Sequence, residues 1–76
     1  MLTATQCRMA RAALEWGVRE LAEAAGINVN TVTRFESGKK SNVSTQKLIR
    51  QTFETAGVRF TDDGGIVPPK KGDDRI

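Results

Sequence analysis

Apolar residues recur along the start of the chain at helical spacing rather than strand spacing. Cys7, Ala10 and Leu14 share one helix face, with Leu2 just ahead of them. Thr3 and Gln6 form a capping box, and Leu2 with Cys7 completes a hydrophobic staple, so a first helix opens at Thr3. Gly17 interrupts the pattern and predicts an end near Glu15 or Trp16. A second helix is predicted over Val18 to Ala25, with Leu21, Ala22 and Ala25 turned inward. The small residues Ala22 and Ala25 let a following helix come close. Gly26 then supplies the positive φ of a sharp reversal.

The next segment, NVNTVTRF, is pulled two ways. Val29, Thr31, Val32 and Thr33 are β-branched, and a strand would put Val29, Thr31, Thr33 and Phe35 on one face. A helix instead puts Val32 and Phe35 together, where they cover Leu21 and Ala25. Asn28 is a good N-cap, and Gly38 stands where a C-cap belongs. The helix is therefore the reading adopted, held by packing more than by propensity. After the polar loop SGKKSN, a fourth helix is predicted to start with Ser44 as cap and Val43–Leu48 as staple. Leu48, Ile49, Thr52, Phe53 and Ala56 are its inward side, and Gly57 its end. Val58-Arg59-Phe60 and Gly65-Ile66-Val67 then suggest two brief strands around a Thr-Asp-Asp-Gly turn. Pro68 and Pro69 stop further strand, and PPKKGDDRI reads as a flexible tail. The expected organisation is a domain over 1–60 and a β-like extension with tail over 61–76.

The stretch VRELAEAAGINVNTVTRFESG is thus two short helices joined by a glycine turn. This is the sequence form of a helix-turn-helix, whose second helix can enter the major groove of DNA. Charge points the same way. Residues 1–60 hold nine basic and five acidic side chains, whereas residues 61–76 hold three and four. From Arg34 to Arg50, five basic residues face only Glu36, a balance suited to phosphate. A lone cysteine excludes an internal disulfide, and the chain has no histidine for metal or general-base chemistry. No apolar run is long enough for a membrane span, and the first residues lack a signal-peptide core. A cytoplasmic, nucleoid-associated protein is expected.

From about Thr3 to Phe60 the chain resembles the Cro/C1-type helix-turn-helix family of phage repressors and bacterial xenobiotic-response-element-like regulators. Leu21-Ala22, Gly26-Ile27, Val32 and Phe35-Glu36-Ser37-Gly38 carry the resemblance. TAGVRF and GGIV are similar to the short β-like tail of small bacterial members. The resemblance implies an all-α, compact four-helix, lambda-repressor-like domain with a short C-terminal β-like extension. It also implies that the start of the third helix meets base edges, through Val29, Asn30, Thr33 and Arg34. The chemistry suits that role. Asn can bond adenine N6 and N7 together, Arg can bond guanine O6 and N7, and Val29 and the Thr33 methyl can touch a thymine methyl. Phosphate contacts are expected from Asn28, Ser37, Lys39, Lys40 and Lys47. In relatives, an arginine of the first helix pairs with the glutamate after the recognition helix. Arg11 and Glu36 stand at those positions, as a structural pair that could also aim Arg11 at a phosphate. One departure is plain. Where relatives carry Ser or Thr and then Gln, this chain has Gly17 and Val18, and Val18 cannot donate to phosphate; Arg19 is the candidate to compensate.

Other residues have ordinary readings. Cys7 is expected to be a buried, inert thiol rather than a redox sensor, and Trp16 a core residue rather than a base-stacking one. Asp62, Asp63, Asp73 and Asp74 read as solvated acids, not metal ligands. Lys70 and Lys71, beside an Asp pair, should add little DNA affinity. There is no nucleophile with a base and no phosphate-cradling glycine loop, so neither catalysis nor a cofactor is expected. The function expected is a sequence-specific transcriptional regulator, a repressor binding double-stranded DNA as a homodimer on an inverted repeat. The Val58–Val67 segment would assist dimerisation. Two alternatives are a protein-interaction module (antiactivator or antitoxin-like) that keeps the fold, and a nonspecific nucleoid-type binder.

Overall fold

The computed structural model describes residues 2–69. Of the expected tail, Pro68 and Pro69 are described, and residues 70–76, with Lys70, Lys71, Asp73 and Asp74, lie outside the described residues. Four helices come first: α1 (Ala4–Leu14), α2 (Val18–Ala25), α3 (Val29–Glu36) and α4 (Val43–Thr55). A hairpin of β1 (Arg59–Phe60) and β2 (Ile66–Val67) follows, antiparallel, with Arg59 opposite Val67 and Phe60 opposite Ile66. None of the helices among the described residues is long and apolar enough to cross a membrane.

The helix starts follow local side-chain chemistry. Thr3 Oγ1 accepts from Gln6 N at 3.0 Å while Gln6 Oε1 accepts from Thr3 N at 3.0 Å, so the capping box closes in both directions. Asn28 Oδ1 accepts from Asn30 N at 2.7 Å and starts α3 despite its β-branched residues. In α4 the expected cap is corrected. Asn42, not Ser44, is the N-cap, its Oδ1 accepting from Thr45 N at 2.9 Å. The earlier start shifts the register, so Val43 and Leu48 form no buried staple and stay exposed. Leu48 therefore leaves the inward set, and Ile49 and Phe53 are the buried residues of α4.

All four helices end in the same way. In each, a residue of positive φ is followed by one whose amide reaches back five positions, as in the Schellman motif. The long bonds are Trp16 N to Arg11 O, Ile27 N to Ala22 O, Lys39 N to Arg34 O and Val58 N to Phe53 O, all between 2.9 and 3.2 Å. Gly26, Gly38 and Gly57 hold three of the left-handed positions, but Glu15 holds the first, at φ 59°. Thus α1 stops at Glu15 through a strained glutamate. Gly17 keeps an ordinary φ of −81° and serves instead as the N-cap of α2. The residues after the turn also differ. Trp16, Ile27 and Val58 pack into or against the core, whereas Lys39 is exposed.

The core is shared by all four helices and the segment after them: Leu2, Cys7, Ala10, Leu21, Ala22, Val32, Phe35, Ile49, Phe53 and Val58. Phe53 lies at its centre, stacked with Trp16 (centroids 5.9 Å apart) and edge-on to Phe60 (6.1 Å). Burying one such side chain contributes about 1.5–3 kcal/mol. Among the described residues Gln6 is the buried polar one, and its Nε2 donates to Gly65 O at 3.1 Å, tying α1 to the hairpin turn. Within that turn Asp63 accepts from Thr61 Oγ1 and from Gly65 N, which gives this acid a structural place.

Candidate nucleic-acid interface

Helix α3 is eight residues long and divides into two faces. Val32 and Phe35 are buried against the other helices, while Val29, Asn30, Thr33 and Arg34 are all exposed. The exposed four fall at i, i+1, i+4 and i+5, so they share one side of the helix. Packing of Val32 and Phe35 over α2 dictates this, because the apolar stripe must turn inward and the polar one is left outward. Among the described residues, Arg34, Lys39, Lys40 and Lys47 take part in no ion pair, so each guanidinium or ammonium faces solvent.

The flanking candidates are held differently. The carbonyl oxygen of the Asn28 side chain is occupied by the cap, which leaves its amide as the free donor. Ser37 Oγ donates to Thr33 O at 2.7 Å, so its hydroxyl would have to release that bond before donating to a phosphate. Lys39 is placed by the closing turn of α3, where its own amide bonds Arg34 O at 3.2 Å. The basic loop is therefore anchored at its root to the helix that carries the exposed polar face.

Behind α3, Glu36 is the centre of a polar cluster. Arg11 grips it with both prongs, Nε to Oε2 at 2.6 Å and Nη2 to Oε1 at 2.8 Å, and Arg11 Nη1 also donates to Trp16 O at 3.1 Å. The two side chains are only 19% and 9% exposed. A planar fork on a carboxylate fixes both distance and orientation between α1 and α3. Burial alone would raise the Glu36 pKa. The hydrogen bonds from Arg11 and Cys7, with the charges of Arg11 and Arg8, outweigh it and hold the carboxyl below its ordinary value. With three of its donors engaged, Arg11 is a scaffold for α3 first.

Two participants escaped the sequence reading. The Cys7 thiol donates to Glu36 Oε2 at 3.1 Å; burial, then this bond, pushes its pKa far up, as befits an unreactive thiol. Arg8 donates from Nη1 to the backbone carbonyl of Glu36, which puts an exposed cation at the negative end of α3, beside Ser37. The spacing of Arg8 on α1 carries no sign of this, since its acceptor is a backbone atom brought near by the tertiary fold. Arg19 is exposed in the first turn of α2, and Val18 is half-buried against the core.

A comparison with curated proteins gives no match. A scan against protein families matches residues 8–51, from α1 through most of α4, to the helix-turn-helix family. That span contains α2, α3, the Arg11–Glu36 pair and the basic loop, and covers more than half of the chain. The chain belongs to the Cro/C1-type, XRE-like helix-turn-helix family and is a DNA-binding regulator of that type.

Proposed function

We propose that the protein is a sequence-specific transcriptional repressor of the cytoplasm that binds an inverted-repeat operator as a homodimer. The observation that carries the proposal is the exposed face of α3. Asn30 and Arg34, the residue types that bond adenine and guanine edges bidentately, stand there with Val29 and Thr33 and no protein ion-pair partner among the described residues. Each good bidentate pair discriminates by about 1–3 kcal/mol. Around that face, Asn28, Lys39, Lys40 and Lys47 would take phosphates, joined by Arg8 at the end of α3 and Arg19 at the start of α2. Ser37 and Arg11 would contribute only after giving up part of their present bonds. Phosphate contacts fix register, and base contacts specify.

One module reads a few base pairs, so selectivity calls for two. Half-sites would then lie about one helical turn apart. The hairpin is the proposed dimer contact: Val67 is exposed, and among the described residues β1 and β2 have only each other as sheet partners, so an outer edge would pair with a second copy. Repression follows from occupancy, since a bound dimer covers DNA that a polymerase needs.

The test is selection from a random duplex pool at near-physiological salt, with wild type and Arg34→Ala side by side. The proposal expects a palindromic consensus that loses one base position per half-site in the variant. Weak binding without enrichment, fading as salt rises, would overturn the proposal and leave the nonspecific and protein-interaction readings. A protein-interaction role is favoured by one observation. Trp16, Ala24, Leu48, Thr52 and Ala56 line a shallow, uncharged groove between α2 and α4. It predicts partner binding that survives Asn30→Ala and Arg34→Ala.

A further inference from the structure

The first helix of a helix-turn-helix crosses the DNA backbone, and a helix N-terminus ordinarily favours an anion such as phosphate. In this chain that end of α2 already holds an anion of its own. Glu20, in the first turn, folds back so that its Oε1 accepts from Gly17 N at 2.8 Å. The carboxylate sits so close that a Cβ on residue 17 would fall 2.8 Å from the same oxygen. Gly17 has no side chain to accept from the first amides of α2, so the Glu20 carboxylate is the side-chain acceptor at this end. Val18 adds no donor beside it, since its side chain is apolar and half-buried. Arg19 is the cation of this turn, exposed and without an ion pair among the described residues.

We infer that Glu20 is an attenuator of DNA binding: its carboxylate, seated on the α2 N-terminus, opposes the phosphate that this end would otherwise attract. The inference rests on the DNA-binding reading proposed above. It assigns opposite signs to neighbouring residues, Arg19 favouring the complex and Glu20 opposing it. Anchoring then falls mainly to the Lys39–Lys47 side of α3, and affinity stays below what the basic face alone would give.

The decisive variant is Glu20→Gln, because a glutamine oxygen can still accept from Gly17 N while the charge is gone. Its melting curve should match wild type. Binding of the full chain is measured by anisotropy on a labelled mixed-sequence duplex and on the duplex enriched by selection. Glu20→Gln should bind both about two- to fivefold tighter at moderate salt, the range of one charge at a helix terminus. The gain should shrink as added salt screens it. Arg19→Gln should weaken binding, and Glu23→Gln, farther along α2, should change it less than Glu20→Gln does. Should the glutamine variant melt early, Glu20→Ala gives the second reading and must also tighten binding. Unchanged or weaker binding by the Glu20 variants overturns the inference and leaves the DNA-binding reading intact. Equal gains from Glu20→Gln and Glu23→Gln overturn it too, since net charge alone would then explain them. If wild type and every variant fail to bind either duplex, both readings fall.

Discussion

Replacing Glu36 with glutamine should cost this small domain a large share of its stability. The change keeps the size of the side chain but removes the charge that faces Arg11 at 2.6 and 2.8 Å. An exposed ion pair contributes about 0–1 kcal/mol, whereas removing one partner of a fully buried pair costs about 3–5 kcal/mol. Here Arg11 and Glu36 retain 19% and 9% exposure, nearer the buried limit, and the Cys7 thiol loses a charged acceptor as well. A loss of about 2–3 kcal/mol follows. At roughly 0.05–0.15 kcal/mol per residue the whole chain has only some 4–11 kcal/mol to lose. With about 4–8 °C per kcal/mol at this size, the melting midpoint should drop by about 10–20 °C. Trp16 is the sole tryptophan and stacks on Phe53, so its fluorescence reports urea or thermal unfolding directly. The effect should also depend on pH. The Glu36 carboxyl titrates lower when folded than its ordinary value of 4.5. Its stabilisation is therefore complete above that value and is lost as pH falls through the folded one. The gap between wild type and Glu36→Gln should be widest near neutrality and close in acid. A gap below about 0.5 kcal/mol at pH 7, or one that does not narrow in acid, would refute the reasoning, since it would make the pair an ordinary surface contact.

Three further outcomes follow from the same geometry. Glu15→Gly should raise stability by about 0.5–1 kcal/mol in urea unfolding. Relief of a left-handed non-glycine residue, about 1–2 kcal/mol, exceeds the added entropy of an unfolded glycine, about 0.4–1 kcal/mol; a net loss would contradict this. Gly57→Ala should destabilise by more than about 1 kcal/mol, because φ is 102° and the added Cβ would lie 2.8 Å from the Pro69 ring; an unchanged midpoint would contradict it. Cys7 should react with an aromatic disulfide reagent only as fast as the chain unfolds, since the thiol is buried and bonded to Glu36; rapid labelling of the native protein would show otherwise.

Much of the fold was legible because it is written in short-range signals. The Thr3–Gln6 capping box, Gly26 and the Asn28 cap each act within a few residues, and the Leu21–Ala25 to Val32–Phe35 facing rests on helical period alone. The α4 start was misplaced because Asn42 and Ser44 are both good caps two residues apart, and local chemistry does not rank them. The end of α1 near Glu15 was legible, but the break was credited to Gly17, whereas Glu15 itself holds the left-handed turn and Gly17 caps α2. Around α3, the exposure of Asn30 and Arg34 follows from periodicity. The bonds of Glu36 to Cys7 and of Arg8 to the Glu36 carbonyl do not, because they join residues 29 and 28 positions apart.

The central claim, that the outer face of α3 reads DNA, is tested most directly by amide and side-chain shift mapping by NMR. The 8.3 kDa chain is titrated with the duplex enriched by selection and with a scrambled duplex of the same length. The account predicts that the enriched duplex moves the Asn30 and Arg34 side-chain signals and the backbone from Asn28 to Lys40. The scrambled duplex should move chiefly the basic loop and Lys47. Shifts confined to the Trp16–Leu48 groove, with α3 unmoved by either duplex, would contradict it.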